Sequence, residues 1–204
     1  MLEDIKDYCD KRTPERMLEL FSAKEKDIEK EIARLNEIQS VMRLYSNLVK
    51  ETKEDDIHNI VIKELPEKEI FVGPLLDTIT AKNYNDANIE FYKFSLQHGL
   101  DLIYPFGVIV SKDTLLKNDY SNILQCFFSV PYKGNDIRPA GHYLIGHMFG
   151  AYGQSAPLFE KLLNYIKENN LIICGNAYEE YPLNEMTTVN DEEFLIRVMI
   201  RIKY

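Results

Sequence analysis

At 204 residues, with 45% apolar and 28% charged side chains, the chain can bury one core, and its composition excludes wholesale disorder or a fibrous repeat. A surplus of acid, 33 residues against 24 basic, gives a formal net charge of −9, which repels phosphate and removes the attraction behind most non-specific DNA affinity. Cys9, Cys126 and Cys174 are too scattered for a disulfide framework or zinc knuckle, and no run nears the roughly 18 apolar residues that cross a bilayer, so a reduced, cytoplasmic protein without a membrane partner is expected.

Leu2, Ile5 and Cys9 stand at helical spacing and predict a short amphipathic helix over residues 2–10. Thr13, Pro14 and Glu15 then read as a helix start, with Thr13 as N-cap, Pro14 at the first helical position and an acidic residue facing the helix dipole. The expected helix, from Glu15 to about Thr52, contains no Gly or Pro, and at ~1.5 Å per residue it is about 55 Å long. Phe21, Ile28, Leu35, Ile38, Met42, Tyr45 and Val49 form a narrow stripe whose later members step by three and four, the spacing of a coiled-coil seam. A homodimer through residues 14–50 is expected; the alternative is a helix packed on its own domain.

The charged run 50–56 (KETKEDD) separates a helical region, 1–52, from a second domain, 57–204, with strand-like periodicity. Ile60 to Ile62 and Ile70 to Val72 flank Pro66, Glu67 and Lys68, predicting a hairpin. A helix-compatible stretch at 85–98 precedes strands at 104–111 and 122–132, expected to pair. The order then repeats: a strand at 141–149, a helix at about 155–169, and strands near 177–181 and 193–202. The predicted class is α+β, a long coiled-coil helix followed by a duplicated strand-helix-strand-strand domain with helices across an antiparallel sheet. A groove between the two halves is a natural place for an apolar site.

The segments 138–144 (RPAGHYL), 149–152 (FGAY), 158–166 (LFEKLLNYI), 174–181 (CGNAYEEY) and 193–200 (EFLIRVMI) resemble, in order and spacing, the GyrI-like effector-binding domain with its SHS2 pseudo-repeat. Upstream, residues 2–21 (LEDIKDYCDKRTPERMLELF) and the long helix are similar to the end of a MerR-type DNA-binding head running into its dimerisation helix. The resemblance implies the ligand-sensing portion of a multidrug-responsive MerR-type transcription regulator, without the head that precedes this stretch in the family. DNA is a partner only where such a head is present. In multidrug-binding members a glutamate on the strand matching 177–181 lies at the bottom of an aromatic pocket and pairs with lipophilic cations, which implies Glu179 here. An aromatic residue fifteen positions on in those relatives corresponds to Phe194.

Strand alternation puts Glu179 and Tyr181 on one face and Tyr178 and Glu180 on the other. A carboxylate among aromatics without a partner is costly, and a delocalised organic cation supplies the missing charge, with cation–π attraction of roughly 0.5–2 kcal/mol per desolvated ring. The expected effector is a hydrophobic or cationic small molecule. Its expected contacts are Glu179, Phe194, Tyr181, Tyr143, Tyr152, Phe106 and Phe149, with the hydroxyl of Tyr143 or Tyr152 reaching the glutamate. The competing readings are a surface carboxylate on an edge strand and ordinary core packing for each ring. His142 and His147 fall on opposite faces of a strand, and no phosphate loop, nucleophile elbow or HExxH motif occurs, so no metal, cofactor or enzyme activity is expected. The alternatives are a GyrI-like hydrolase of DNA-alkylating natural products, with Glu179 as general base but without the tryptophan such relatives use, and a module that binds a protein partner.

Overall fold

The computed structural model describes residues 12–54, 56–76, 84–120 and 122–204. The helix expected at 2–10 lies outside the described residues. The chain divides into two compact units, Met1–Ser40 and Val41–Tyr204.

Helix α1 spans Pro14–Glu54 and contributes to both units. Thr13 caps it as expected: its hydroxyl accepts from the Arg16 amide at 3.2 Å and its carbonyl from the Met17 amide at 3.0 Å. In the first unit Leu18, Phe21, Ile28, Ile32 and Leu35 are exposed along this helix.

In the second unit, Val41 and Leu48 of α1 are buried in the core, with Leu44 and Tyr45 packed beside them. The remaining elements are β1 (Val61–Leu65), β2 (Lys68–Val72), α2 (Tyr84–Gln97), β3 (Phe106–Val110), α3 (Lys112–Leu116), β4 (Gln125–Ser129), β5 (Asp136–Arg138), β6 (Gly141–Phe149), α4 (Ala156–Glu168), β7 (Ile172–Leu183) and β8 (Leu195–Lys203). The strands form one antiparallel sheet in the order β1-β6-β8-β7-β3-β4-β2-β5. The expected pairing of the strands around 104–111 and 122–132 is present as β3 and β4, with Phe106 opposite Phe128.

The hairpin expected around Pro66 is absent. Val61 pairs with Ile145 and Ile70 with Ser129, so β1 and β2 find partners elsewhere. Pro66 and Glu67 alone join β1 to β2, yet five strands lie between them in sheet order. A link that short cannot cross six strand spacings of ~4.8 Å, so the sheet curls until its ends approach. Arg138 of β5 accordingly reaches both the Pro66 carbonyl and the ring of Tyr143 on β6.

The curl gives the sheet two apolar faces. Ile70, Val72, Ile109, Phe127, Tyr143, Ile145, Tyr178 and Met199 meet on the inner one. The outer face carries Phe106, Val108, Phe128, Leu144, Ala177, Tyr181, Ile196, Val198 and Ile200 and is covered by α2, α4 and the end of α1. Leu158, Phe159, Leu162 and Ile166 form the buried stripe of α4. That helix sits so close to β6 that a Cβ on Gly146 would lie 3.0 Å from both Leu158 and Leu162.

Candidate functional site

Strand β7 lies fourth in the sheet, flanked by β8 and β3, with Glu179 opposite Val198 on one side and Val108 on the other. Alternation sends Ala177, Glu179 and Tyr181 to the outer face, under the helices, and Tyr178 and Glu180 to the inner one. Glu179 is 3% exposed, so it is not an edge-strand surface group.

Tyr181 donates its phenol proton to Glu179 and accepts from the Gly153 amide at 3.2 Å, which fixes the hydroxyl from both sides. Ser155 also hydrogen-bonds the carboxylate. Burial pushes the Glu179 carboxyl above the ordinary carboxylate range, and these two hydrogen bonds only partly oppose it. No ion pair to Glu179 occurs among the described residues.

Above this carboxylate stands a box of rings centred on Tyr152. Its ring centroid is 4.3 Å from that of Tyr181, 5.4 Å from Phe194 and 6.3 Å from Phe106, the last two in edge-on contact. Tyr152 does not hydrogen-bond the glutamate as expected; its hydroxyl donates to Glu185 at 2.6 Å. Burial and the Glu185 carboxylate together hold the Tyr152 phenol well above its usual range. Tyr45 of α1 and Tyr92 of α2 also feel the Glu185 charge, and Tyr45 hydrogen-bonds Asn184.

Glu179, Tyr181, Tyr152, Phe106 and Phe194 are thus brought together, and Tyr143 and Phe149 are not. Both of the latter lie on β6 in the opposite phase from Leu144, which joins the outer core. Tyr143 is fully buried on the inner face, with its hydroxyl donating to the Pro139 carbonyl at 2.6 Å and its ring against Tyr178. Phe149 ends the strand, 52% exposed, opposite Leu195. Ser155 and Glu185 escaped the sequence reading, and Tyr45, expected in the coiled-coil stripe, packs instead against the core of its own unit. Ser155 carried a signal, since it immediately precedes Ala156 and Pro157 at the start of α4.

The inner side of the same strand carries the opposite chemistry. Glu180 pairs across the sheet with Arg197, whose Nη2 donates to its carboxylate at 2.6 Å, and Lys68 lies 3.7 Å away. Arg197 also donates to Glu51 of α1 at 2.9 Å. Burial works against the Glu180 charge, but Lys68, Arg197 and Arg138 more than offset it and bring the carboxyl down to about 2.

The chain is similar to multidrug regulators of the MerR type. It is 26% identical over 206 residues, 99% of this chain and 75% of the relative, to the multidrug-efflux transporter 2 regulator of Bacillus subtilis (strain 168). EcmrR, solved by cryo-EM in complex with DNA, shares the fold across 100% of this chain and 77% of its own, with a TM-score of 0.53 at 14% identity. The crystal structure of the EcmrR C-terminal domain aligns with 71% of this chain and 97% of its own, with a TM-score of 0.48 at 16% identity. No protein-family model matches the chain. No helix among the described residues is long and apolar enough to cross a membrane.

Proposed function

We propose that the second unit senses hydrophobic cations, which bind beside Glu179 in the box formed by Tyr181, Tyr152, Phe106 and Phe194. The observation that carries this reading is a 3% exposed carboxylate with neutral hydrogen-bond donors and no cationic partner among the described residues. A delocalised cation supplies the missing charge, and rings without directional demands explain a loose selectivity. The Tyr181 hydroxyl holds the carboxylate, so a ligand that pairs with Glu179 must displace it. The effector can act as a switch only to the extent that it binds one conformation better than the other.

The test is the melting temperature with tetraphenylphosphonium. At one hundred times Kd the stabilisation is about 2.7 kcal/mol, roughly 5–10 °C for a domain of this size. The shift is expected in the parent chain and absent in Glu179→Gln; an equal shift in both would remove Glu179 from the site, and consumption of the cation would favour a hydrolase.

Two structural readings accompany this function. The exposed α1 stripe at Leu18, Phe21, Ile28 and Leu35 supports homodimerisation through a coiled coil, with a second copy covering it. Ile28→Lys is then expected to halve the mass measured by light scattering to the 23.9 kDa of one chain. The sheet supports an internal duplication: in β2-α2-β3-β4 and in β6-α4-β7-β8 the first strand pairs with the third and the third with the second. The proposed site then lies where the two halves join, at the β3–β7 pair.

A further inference from the structure

We propose that the inner face of the curled sheet holds a second small-molecule site, for a singly charged organic acid, with Arg138 as its anion-binding group. Arg138 is 5% exposed, yet only its Nη2 is engaged by an acceptor, the Pro66 carbonyl at 3.1 Å. Its Nε and Nη1 have no hydrogen-bond partner among the described residues; it also lies 5.1 Å from the ring centroid of Tyr143, close to that residue's hydroxyl, and faces the Glu180 charge. The carboxylate that could neutralise it, Glu180, is already bridged to Arg197 and Lys68. A buried guanidinium whose Nε and Nη1 have no hydrogen-bond acceptor and no direct ion pair among the described residues, facing only a Glu180 charge already bridged to two other cations, has room for an anionic partner.

Arg138 lines a cavity of about 410 Å³, within the range of small-molecule sites. Leu65, Ile145 and Met199 supply apolar wall, and Lys63 and Lys68 supply further positive charge. The wall also includes the carboxylates of Glu51 and Glu180, both bridged to Arg197, and the exposed ones of Glu54 and Glu67, which repel multiply charged anions. A carboxylate head on Arg138 with a compact apolar body against Ile145 and Met199 satisfies all of these groups. An inorganic phosphate or polyphosphate does not.

The site is tested by titrating the whole chain with benzoate, and separately with inorganic phosphate, followed by NMR amide shifts and calorimetry. Saturable benzoate binding is expected to perturb β1, β5 and β6, to weaken about tenfold or more in Arg138→Gln, and to be unchanged in Glu179→Gln. Lys68→Ala, at a half-buried position, is expected to weaken it by a smaller factor and serves if Arg138→Gln does not fold. No saturation up to about 50 mM, equal affinity in both inner-face variants, or phosphate binding as tightly as benzoate would overturn the proposal. Because the outer-face variant is the control, this outcome is independent of whether cations bind at Glu179.

Discussion

Glu180→Gln is expected to lower the free energy of unfolding by about 3–5 kcal/mol, the usual cost of removing one partner from a buried ion pair. The substitution leaves Arg197 buried, with Glu51 as its remaining carboxylate, and takes from Arg138 the charge that faces it. A melting point lower by roughly 10 °C is the expected result. Replacing Glu180 and Arg197 together by Leu and Met should recover much of the loss, because desolvation then no longer opposes folding. The acid limb gives an independent check. The Glu180 carboxyl is held at about 2 in the folded chain, below its value of 4.5 when free, so its contribution is complete above that value and is lost as pH falls toward 2. A stability profile flat across that window in the parent chain would contradict the assignment.

Cation affinity at the outer site is expected to fall by up to tenfold per pH unit as the medium becomes more acid than the Glu179 carboxyl. Burial raises this group, so the folded chain holds a proton there at pH values where an exposed glutamate has lost it, and a cation must displace that proton. The sign for stability is opposite to that of Glu180. Without ligand, the Glu179 contribution decreases as pH rises from the free carboxyl value through the raised folded value. Glu179→Gln should therefore match the parent in acid, exceed it in stability at alkaline pH, and lose the pH dependence of cation binding. Calorimetric titrations at three pH values, paired with thermal melts, would decide this. An affinity independent of pH in the parent chain would place the cation away from Glu179.

Much of this architecture was legible locally. The strand expected at 141–149 coincides with β6, and the spacing of Leu158, Leu162 and Ile166 marks α4. Alternation alone also oriented Glu179 and Tyr181. What failed was non-local. Pro66 and Glu67 have the chemistry of a turn, but the partners of the flanking strands, Ile145 and Ser129, are remote in sequence, and only the closure of the sheet selects them. Tyr143 and Phe149 were grouped with Glu179 because both are aromatic, yet the phase of one strand relative to another is set by pairing rather than by composition. Nothing local in the sequence around Arg138 marks a guanidinium that the opposite edge of the sheet will bury.

The two adjacent carboxylates of β7 make strand register and chemistry a single variable. Glu179 and Glu180 differ only in which side of the sheet they meet, one entering an aromatic box and the other a cationic cluster. Irregularities between Ile173 and Ala177 and between Glu180 and Leu183 bracket the pair and lock its phase against β8. Gain or loss of one residue between Ala177 and Glu179 would present a carboxylate to both faces in neither proper position, while leaving the apolar pattern of the neighbouring strands intact. Such a length variant would break the buried Glu180–Arg197 pair as well as move Glu179 off the outer face, so this short stretch should tolerate a change in length far less than a conservative substitution.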